Sequence, residues 1–232
     1  MQDETLLLHP IAHIYTDFPE KFGIPRQAGR AAALPGRIVF EPQYRDPEAL
    51  RGIEGFSHLW LVFDFSLAHR EGFSPTVRPP RLGGNQRVGV FASRSPYRPN
   101  PLGLSAVKLE RVEKTAGEGT VLYVSGADLV SGTPILDIKP YLPFADAIPD
   151  ARDGYAGAHV THKLRVVFGE GVGEGVEREL LDRLTDCLKE DPRPSYQEDG
   201  REYGMRFSDR DVRFTVTGDT LTVIALTPHQ NT

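Results

Sequence analysis

The stretch FSHLWLVFDF, residues 56 to 65, is apolar on both sides of a two-residue repeat. Successive side chains of a strand point to opposite faces, so each face can be considered separately. Such a pattern predicts a strand that is buried on both faces, and such a strand belongs in the middle of a sheet or barrel. The stretch therefore predicts a central strand, with Phe56, His58, Trp60 and Val62 on one face and Leu59, Leu61, Phe63 and Phe65 on the other.

Shorter strand patterns recur on both sides of this stretch, and helical periodicity is nearly absent from residue 6 to about residue 140. Such spacing favours a mainly β protein that begins with an antiparallel β-barrel or a strongly curved sheet. We assign residues 6–146 to this first domain. The predicted strands cover residues 6–15, 37–40, 87–92, 102–112, 120–130 and 135–139, with one helical turn at 47–50.

The rest of the chain predicts a small α+β domain, residues 158–232, after a linker rich in Asp, Ala and Gly. A helix is predicted over 174–191 because its apolar residues fall on one face, and Pro192 ends it. Cys187, the single cysteine, falls inside this helix, where packing is expected rather than nucleophilic chemistry. Strands are predicted at 161–168, 212–217 and 220–226.

The composition excludes several classes of protein. The chain has 232 residues, a net charge of -5 and one cysteine, which rules out an intrachain disulfide framework and a cysteine-based zinc cluster. The histidines show no spacing typical of metal ligands, so we expect no metal. No apolar run approaches the roughly 20 residues of a membrane helix, and the acidic start does not resemble a secretory signal. We therefore expect a cytoplasmic protein.

Between Glu71 and Glu110 the sequence contains no acidic residue but several basic ones. Charges that serve solubility usually alternate in sign, so this pattern is more typical of a surface that binds phosphate or carboxylate. Prolines restrict the backbone here, which lowers the entropy that the arginines lose on binding. The alternative is a proline-braced surface turn with solvated arginines. We call residues 78–108 the cationic segment; its basic residues are Arg78, Arg81, Arg87, Arg94, Arg98 and Lys108.

Two further positions allow more than one interpretation. His58 is either a neutral core histidine bonded to the backbone or a residue that lines a ligand pocket. Asp137 and Lys139 are predicted on one side of a strand, either as a surface ion pair or as functional groups. No dinucleotide motif, phosphate-binding loop or nucleophile elbow is present. Arginines, glycine amides and the carboxylates of Asp128 and Asp137 form a set that can hold a zwitterion.

Six motifs follow one another along the chain: PRQ at 25–27, FSHLW at 56–60, RPPRLGGN at 78–85, VGVFASRSPYRPNPLGLS at 88–105, DLVSGTPILDIKPYLPFAD at 128–146 and DPRPSY at 191–196. In this order they resemble the TsaA-like family, the tRNA methyltransferase O enzymes. The resemblance implies a homodimeric β-barrel enzyme that uses S-adenosylmethionine. Its implied substrate is N6 of threonylcarbamoyladenosine next to the anticodon of threonine tRNA.

The resemblance also assigns residues to the methyl-donor site. Ser131 stands where members of the family often carry Asp, so the family's side-chain contacts at this position are not carried over to it. The donor-site residues implied by the motifs are Pro25, Arg26, Gln27, His58, Leu59, Arg94, Leu104, Asp128, Leu129, Val130 and Ser131.

The remaining candidates concern the substrate. Asp137 is our candidate general base, Lys139 an orienting charge, and Tyr141 a stacking partner for the purine. A non-catalytic barrel that binds RNA or a nucleotide is the alternative function. A hydrolase with Asp137 as its base lacks a second acid or a nucleophile. The arginines predicted to meet the tRNA backbone are Arg78, Arg81, Arg87 and Arg98.

Overall fold

The computed structural model describes residues 6–25, 34–79, 86–159, 163–193 and 199–230. Strands dominate the described chain, as predicted. The strands are β1 Ala12–Thr16, β2 Pro35–Phe40, β3 His58–Asp64, β4 Thr76–Val77, β5 Val88–Gly89, β6 Leu102–Thr115, β7 Gly119–Ser125, β8 Thr133–Pro140, β9 Arg165–Phe168, β10 Glu202–Phe207, β11 Arg210–Thr217 and β12 Thr220–Pro228. The helices are α1 Pro143–Asp146 and α2 Arg178–Leu188. The 3-10 turns are Pro42–Tyr44, Pro47–Leu50, Ile53–Gly55, Ser66–Ala68, Val90–Ala92 and Gly154–His159.

Strands β1, β2, β7, β6, β3 and β8 close into a barrel in that order, and each neighbouring pair is antiparallel. Closure leaves these strands without a sheet edge, because β1 pairs with both β2 and β8. The prediction of an antiparallel barrel is therefore confirmed. Strand β3 lies between β6 and β8, which confirms its predicted central position.

The prediction that β3 is buried on both faces is wrong. Its inner face fills the barrel, where Leu59 and Leu61 are 0% exposed. On the outer face Trp60 and Val62 are only half-buried, and His58 is exposed. The interpretation of His58 as a core histidine is therefore wrong as well. Both errors have one physical cause, because the barrel interior buries only the inner face of each strand.

Four predicted strands are shorter than expected. The strands predicted at 6–15 and 161–168 begin only at Ala12 and Arg165. Residues 87–92 contain only β5, which pairs with β4, and then the 3-10 turn Val90–Ala92. The strand predicted at 120–130 ends at Ser125, because Gly126 turns the backbone with a φ of +77° and its amide bonds to the carbonyl of Leu34. The chain therefore leaves the barrel wall after Ser125, and residues 127–132 form a separate segment before β8.

The C-terminal part contains a four-stranded sheet in the order β10-β11-β12-β9. It is antiparallel except for β9, which runs parallel to β12. Helix α2 buries Leu184, Cys187 and Leu188 in the core of this sheet, so Cys187 packs as predicted. Phe18 and Leu34, from the N-terminal part, belong to the same core. The two predicted domains thus share a hydrophobic core at this point, and their division at 146 and 158 stays a prediction.

Candidate functional site

The outer face of strands β6, β3 and β8 brings several predicted site residues together. Val62 in β3 lies opposite Leu104 in β6 and opposite Asp137 in β8. Since neighbouring strands are about 4.8 Å apart, the backbones of Leu104 and Asp137 are about 10 Å apart across this face. In the next row Trp60 lies opposite Lys139. A donor-site candidate and both catalytic candidates therefore share one surface.

Asp137 and Lys139 do point to one side, as their spacing predicts. The Lys139 ammonium lies 2.6 Å from Oδ2 of Asp137, and the Ile138 amide donates to Oδ1 at 2.9 Å. The Asp137 side chain remains 45% exposed, which leaves the carboxylate accessible to a ligand. An exposed pair of this kind contributes only about 0 to 1 kcal/mol to stability. Its contribution to the fold is thus small, and its role in chemistry stays a prediction.

An aromatic group lies beside this ion pair. The rings of Trp60 and Tyr141 are 5.5 Å apart, and those of His58 and Tyr141 are 6.2 Å apart. The indole N–H of Trp60 donates to Oδ2 of Asp146 at 2.9 Å, which fixes the ring. Aromatic faces held in this way can stack a purine. The sequence interpretation selected Tyr141 and missed Trp60, although the alternation in residues 56–65 had already placed Trp60 on the same face as His58.

The motif from Asp128 to Ser131 lies in a different place, at the end of the barrel after β7. Asp128 accepts a hydrogen bond from the Ser105 hydroxyl at 2.6 Å, and Ser105 is one of the buried polar residues of the protein. The carbonyl of Val130 accepts from both the amide and the hydroxyl of Thr133. Leu129 is buried in the barrel core. The motif is therefore a fixed segment whose half-buried carboxylate and backbone present a polar surface.

Arg94 is exposed on a loop that is braced by serine side chains as well as by prolines. The Ser93 hydroxyl donates to the carbonyl of Val90 at 2.8 Å and accepts from the Ser95 amide. Arg98 donates back to the carbonyl of Ser93 at 3.2 Å. The loop is thus stabilised by its own hydrogen bonds, in addition to the restriction expected from its prolines.

A cleft of about 390 Å³ lies beside this loop, lined by Ala68, His69, Arg70, Glu71, Arg98, Pro99 and Pro101. We call it the cationic cleft because its two arginines outnumber its one carboxylate, that of Glu71. The guanidinium of Arg70 lies 4.7 Å above the ring of Tyr97, and the Lys21 ammonium lies 5.9 Å from it. Both cations come from outside the cationic segment. Arg70 and Lys21 come close to the cationic segment only in the folded chain, so no local feature of the sequence predicted their position there.

The other predicted residues are placed as follows. Arg78 and Arg87 are exposed, and Arg87 donates to the Thr76 hydroxyl. Pro25 is buried, and Leu59 points into the barrel, where only its backbone could meet a ligand. Arg26, Gln27 and Arg81 lie outside the described residues. Within the described ranges, no helix is long and apolar enough to cross a membrane, and no cluster of three or more His, Cys, Asp or Glu could hold a metal ion.

Comparison with known proteins agrees with this architecture. The chain matches the family model of the tRNA-methyltransferase O N-terminal domain over residues 13–147 and that of the TrmO C-terminal domain over residues 162–229. The tRNA (adenine(37)-N6)-methyltransferase of Escherichia coli is 42% identical, over 94% of this chain and 96% of that protein. A putative S-adenosylmethionine-dependent methyltransferase of Pseudomonas aeruginosa, RcsF, is 45% identical over 88% of this chain and 90% of that protein. A crystal structure of TrmO from P. aeruginosa superimposes with a TM-score of 0.79 at 38% identity, covering 97% of this chain and 98% of that chain. This chain belongs to the tRNA-methyltransferase O family.

Proposed function

We propose that this protein transfers a methyl group from S-adenosylmethionine to N6 of the adenine at position 37 of tRNA. The observation that carries the proposal is its similarity to the E. coli enzyme of that name, which extends over nearly the whole length of both chains. The arrangement on the barrel is consistent with this reaction, because it combines a polar donor motif, an aromatic surface and a cationic cleft.

The residues present fit the methyl donor. S-adenosylmethionine carries a carboxylate, an ammonium and a sulfonium, and it supplies the methyl group when bound. The exposed guanidinium of Arg94 would bind the carboxylate, and the half-buried carboxylate of Asp128 would bind the ammonium or a ribose hydroxyl. Leu104, which is 55% exposed, would give an apolar contact. His58 stands on the same outer face as Leu104 and extends this surface.

The acceptor is proposed to be threonylcarbamoyladenosine of threonine tRNA. Its N6 lone pair is delocalised into the purine and the ureido carbonyl, so transfer is easier when N6 loses its proton. Asp137 would take that proton, which is commonly worth about 10² to 10⁴ in rate. Lys139 would bind the threonyl carboxylate, while Tyr141 and Trp60 would stack the purine. The 2.6 Å contact of Lys139 with Asp137 supports this proposal, because the two groups proposed to act together are adjacent.

The cationic cleft and the exposed arginines of the cationic segment are proposed to bind the tRNA backbone. Arg78, Arg87 and Arg98 come from the segment itself, and Arg70 and Lys21 join them in the fold. Phosphate contacts of this kind position RNA without reading its sequence. A barrel that binds RNA without methylating it would use the same surface. Calorimetry with S-adenosylmethionine in the absence of RNA separates the two functions, because only the enzyme is expected to bind the donor at one saturable site.

We further propose a homodimer that acts in the cytoplasm. The support for the dimer is the apolar surface on the outside of the barrel, where Leu102 and Leu104 are exposed. A second copy seated on this surface would exclude water from it. Sedimentation of the wild type and of Leu104→Glu tests the dimer, with Ile224→Glu on the C-terminal sheet as a control. A monomeric wild type, or a Leu104→Glu variant that stays dimeric, would contradict this interface.

One experiment tests the reaction and the substrate together. The nucleosides of total tRNA from a strain without this gene are analysed by mass spectrometry. We expect the N6-methylated form of threonylcarbamoyladenosine to be absent and to return with the cloned gene. If the methylated nucleoside persists without the gene, the proposed substrate is wrong. Incubating purified protein with this tRNA and labelled donor then shows whether any other nucleoside is methylated.

A further inference from the structure

Three consecutive residues, Thr16, Asp17 and Phe18, connect the Asp128–Ser131 motif with the C-terminal sheet. On the barrel side, the Thr16 hydroxyl donates to the carbonyl of Leu129 at 2.9 Å. The Ser131 amide donates to the carbonyl of Phe18 at 2.7 Å, and the Ser131 hydroxyl accepts from the Thr16 amide at 3.3 Å. The position of the motif is therefore set by this triplet and not by the barrel strands alone.

On its other side, the triplet is attached to the C-terminal part. The Asp17 carboxylate accepts from Nε of Arg183 in helix α2 at 2.9 Å, and the Asp17 carbonyl accepts from the Ser208 amide at 2.6 Å. The Phe18 ring is 0% exposed and meets the Phe207 ring edge-on at a centroid distance of 5.5 Å. The Thr16 side chain thus contacts the motif, whereas the side chains of Asp17 and Phe18 both contact the C-terminal part.

The Asp17–Arg183 pair is mostly shielded from water, with side-chain exposures of 12% and 18%. Burial raises the pKa of the Asp17 carboxyl, and the charge and hydrogen bond of Arg183 oppose that rise. Arg183 also donates to Glu179 at 3.0 Å, whose side chain is exposed. A shielded carboxylate without its cationic partner is costly, so removal of Arg183 is expected to displace Asp17 and the residues bonded to it.

The same attachment continues along the chain to Pro25. Glu20 accepts a hydrogen bond from the Arg206 amide at 3.0 Å, and the Cys187 thiol donates to the carbonyl of Gly23 at 3.0 Å. Gly23 has a φ of +92°, and a Cβ there would lie 2.3 Å from Cε of Met205. Residues 17–25 therefore lie directly on the C-terminal sheet and helix. The chain up to Pro25 and the segment 128–131 are thus both attached to the C-terminal part, through different contacts.

We infer that the C-terminal part positions the methyl-donor site, with Asp17 and Arg183 as positioning residues that act through Thr16 and Phe18. The inference rests on the proposed function, because it takes residues 128–131 as donor-binding. It gives the C-terminal part a role that needs no contact with RNA. Coupling through such a network typically changes affinity by about 2- to 30-fold.

The test compares Arg183→Met with Arg178→Met, a control on the same helix whose side chain is 94% exposed. Hydrogen exchange of the Ser131 amide is measured first, because it needs no donor. We expect faster exchange at Ser131 in Arg183→Met, while the amides of β3 exchange as slowly as in the wild type. Calorimetry should then show weaker donor binding, by about 2- to 30-fold. Arg183→Lys, which retains the charge, should recover part of the loss.

The outcomes separate this inference from the proposed function. If the wild type binds no S-adenosylmethionine, the proposed function fails, and the exchange at Ser131 still shows whether the coupling exists. If Arg183→Met folds and matches Arg178→Met in both Ser131 exchange and donor affinity, the inference is wrong. Should Arg183→Met not fold, Asp17→Asn removes the charge with little change in shape and is subject to the same two measurements. A third outcome is weaker donor binding together with exchange that is accelerated equally at Ser131 and in β3. This result would indicate general destabilisation of the fold and would also overturn the inference.

Discussion

Gly103 in β6 lies directly opposite Phe63 in the neighbouring strand β3. A Cβ at this position would lie 2.1, 2.2 and 2.7 Å from three carbons of the Phe63 ring, far inside van der Waals contact. Phe63 is itself buried, and its ring packs edge-on against Phe65 at 5.0 Å. The ring therefore has little room to move, and Gly103→Ala should overpack this end of the barrel.

The size of the effect follows from the overlap. To restore an ordinary contact near 3.4 Å from 2.1 Å, the ring or the strand must shift by about 1.3 Å. Overpacking of a well-filled core costs about 1 to 3 kcal/mol. For a chain of this length each kcal/mol lowers Tm by about 2 to 4 °C, so Gly103→Ala should lose about 2 to 12 °C. Donor affinity should fall as well, since Leu104 is the next residue.

The matched control is Gly204→Ala in β10, also a strand glycine, where a Cβ would meet nothing within 4 Å. Alanine is favoured over glycine inside a strand by about 0.5 to 1 kcal/mol, so the control should be neutral or slightly stabilising. Tm is measured for both variants by circular dichroism under identical conditions. Equal Tm values for the two variants would refute the packing argument, because only the neighbour of the new methyl group differs.

Four further predictions concern the site. Arg94→Ala should weaken S-adenosylmethionine binding by about 1.5 to 3 kcal/mol in calorimetry, the usual size of a hydrogen bond to a charged group, and an unchanged affinity removes Arg94 from the donor site. Replacing Arg78 and Arg87 together by Ser should lower the slope of log affinity for tRNA against log salt by about 1 to 2, and an unaltered slope places the tRNA elsewhere. Asp137→Asn should reduce turnover by about 10² to 10⁴ with donor affinity and Tm retained, whereas a change of only a few-fold excludes it as the base. Burial raises the pKa of the Asp17 carboxyl in the folded protein. This group therefore stabilises the fold at pH values below its unfolded pKa near 4, and the stabilisation is lost as the pH rises through the raised pKa. Urea titrations should therefore show wild type losing stability relative to Asp17→Asn as the pH rises above about 4, and a constant difference would contradict this.

The barrel could be predicted because its information is local. Each strand carries its own pattern, and frequent strands with few helices favour a barrel or a strongly curved sheet. Closure itself is seen only in the structure, where β1 pairs with both β2 and β8. Strand β10 was missed although Tyr203, Met205 and Phe207 alternate and are all buried. The polar residues between them and the exposed Gly204 weakened a pattern that was nevertheless present. The parallel pairing of β9 with β12 could not be predicted, since nothing local in a strand specifies a partner some fifty residues away.

The candidate site could be predicted even less well, because it depends on contacts between residues that are far apart in the sequence. Motifs identified His58, Leu104 and Asp137 one at a time, but only the strand register shows that they lie on one outer face. The apolar pattern of β3 was interpreted as burial within one chain because composition cannot distinguish a core from a binding surface. Arg183 was not selected from the sequence, since its partner Asp17 lies 166 positions away.

The exposure of the outer barrel face bears on the chemistry proposed for it. Methyl transfer from a sulfonium to a nitrogen that gives up its proton to a carboxylate consumes one positive and one negative charge. Such neutralisation is favoured when water is excluded, because water stabilises the separated charges more than it stabilises the transition state. In the single chain Leu104 is 55% exposed and Asp137 is 45% exposed, so the face is open to solvent. The proposed reaction therefore needs a cover over this face. A second copy placed on Leu102 and Leu104 and a tRNA stacked on Trp60 and Tyr141 would together supply it, one from the apolar side of the face and the other from the aromatic side.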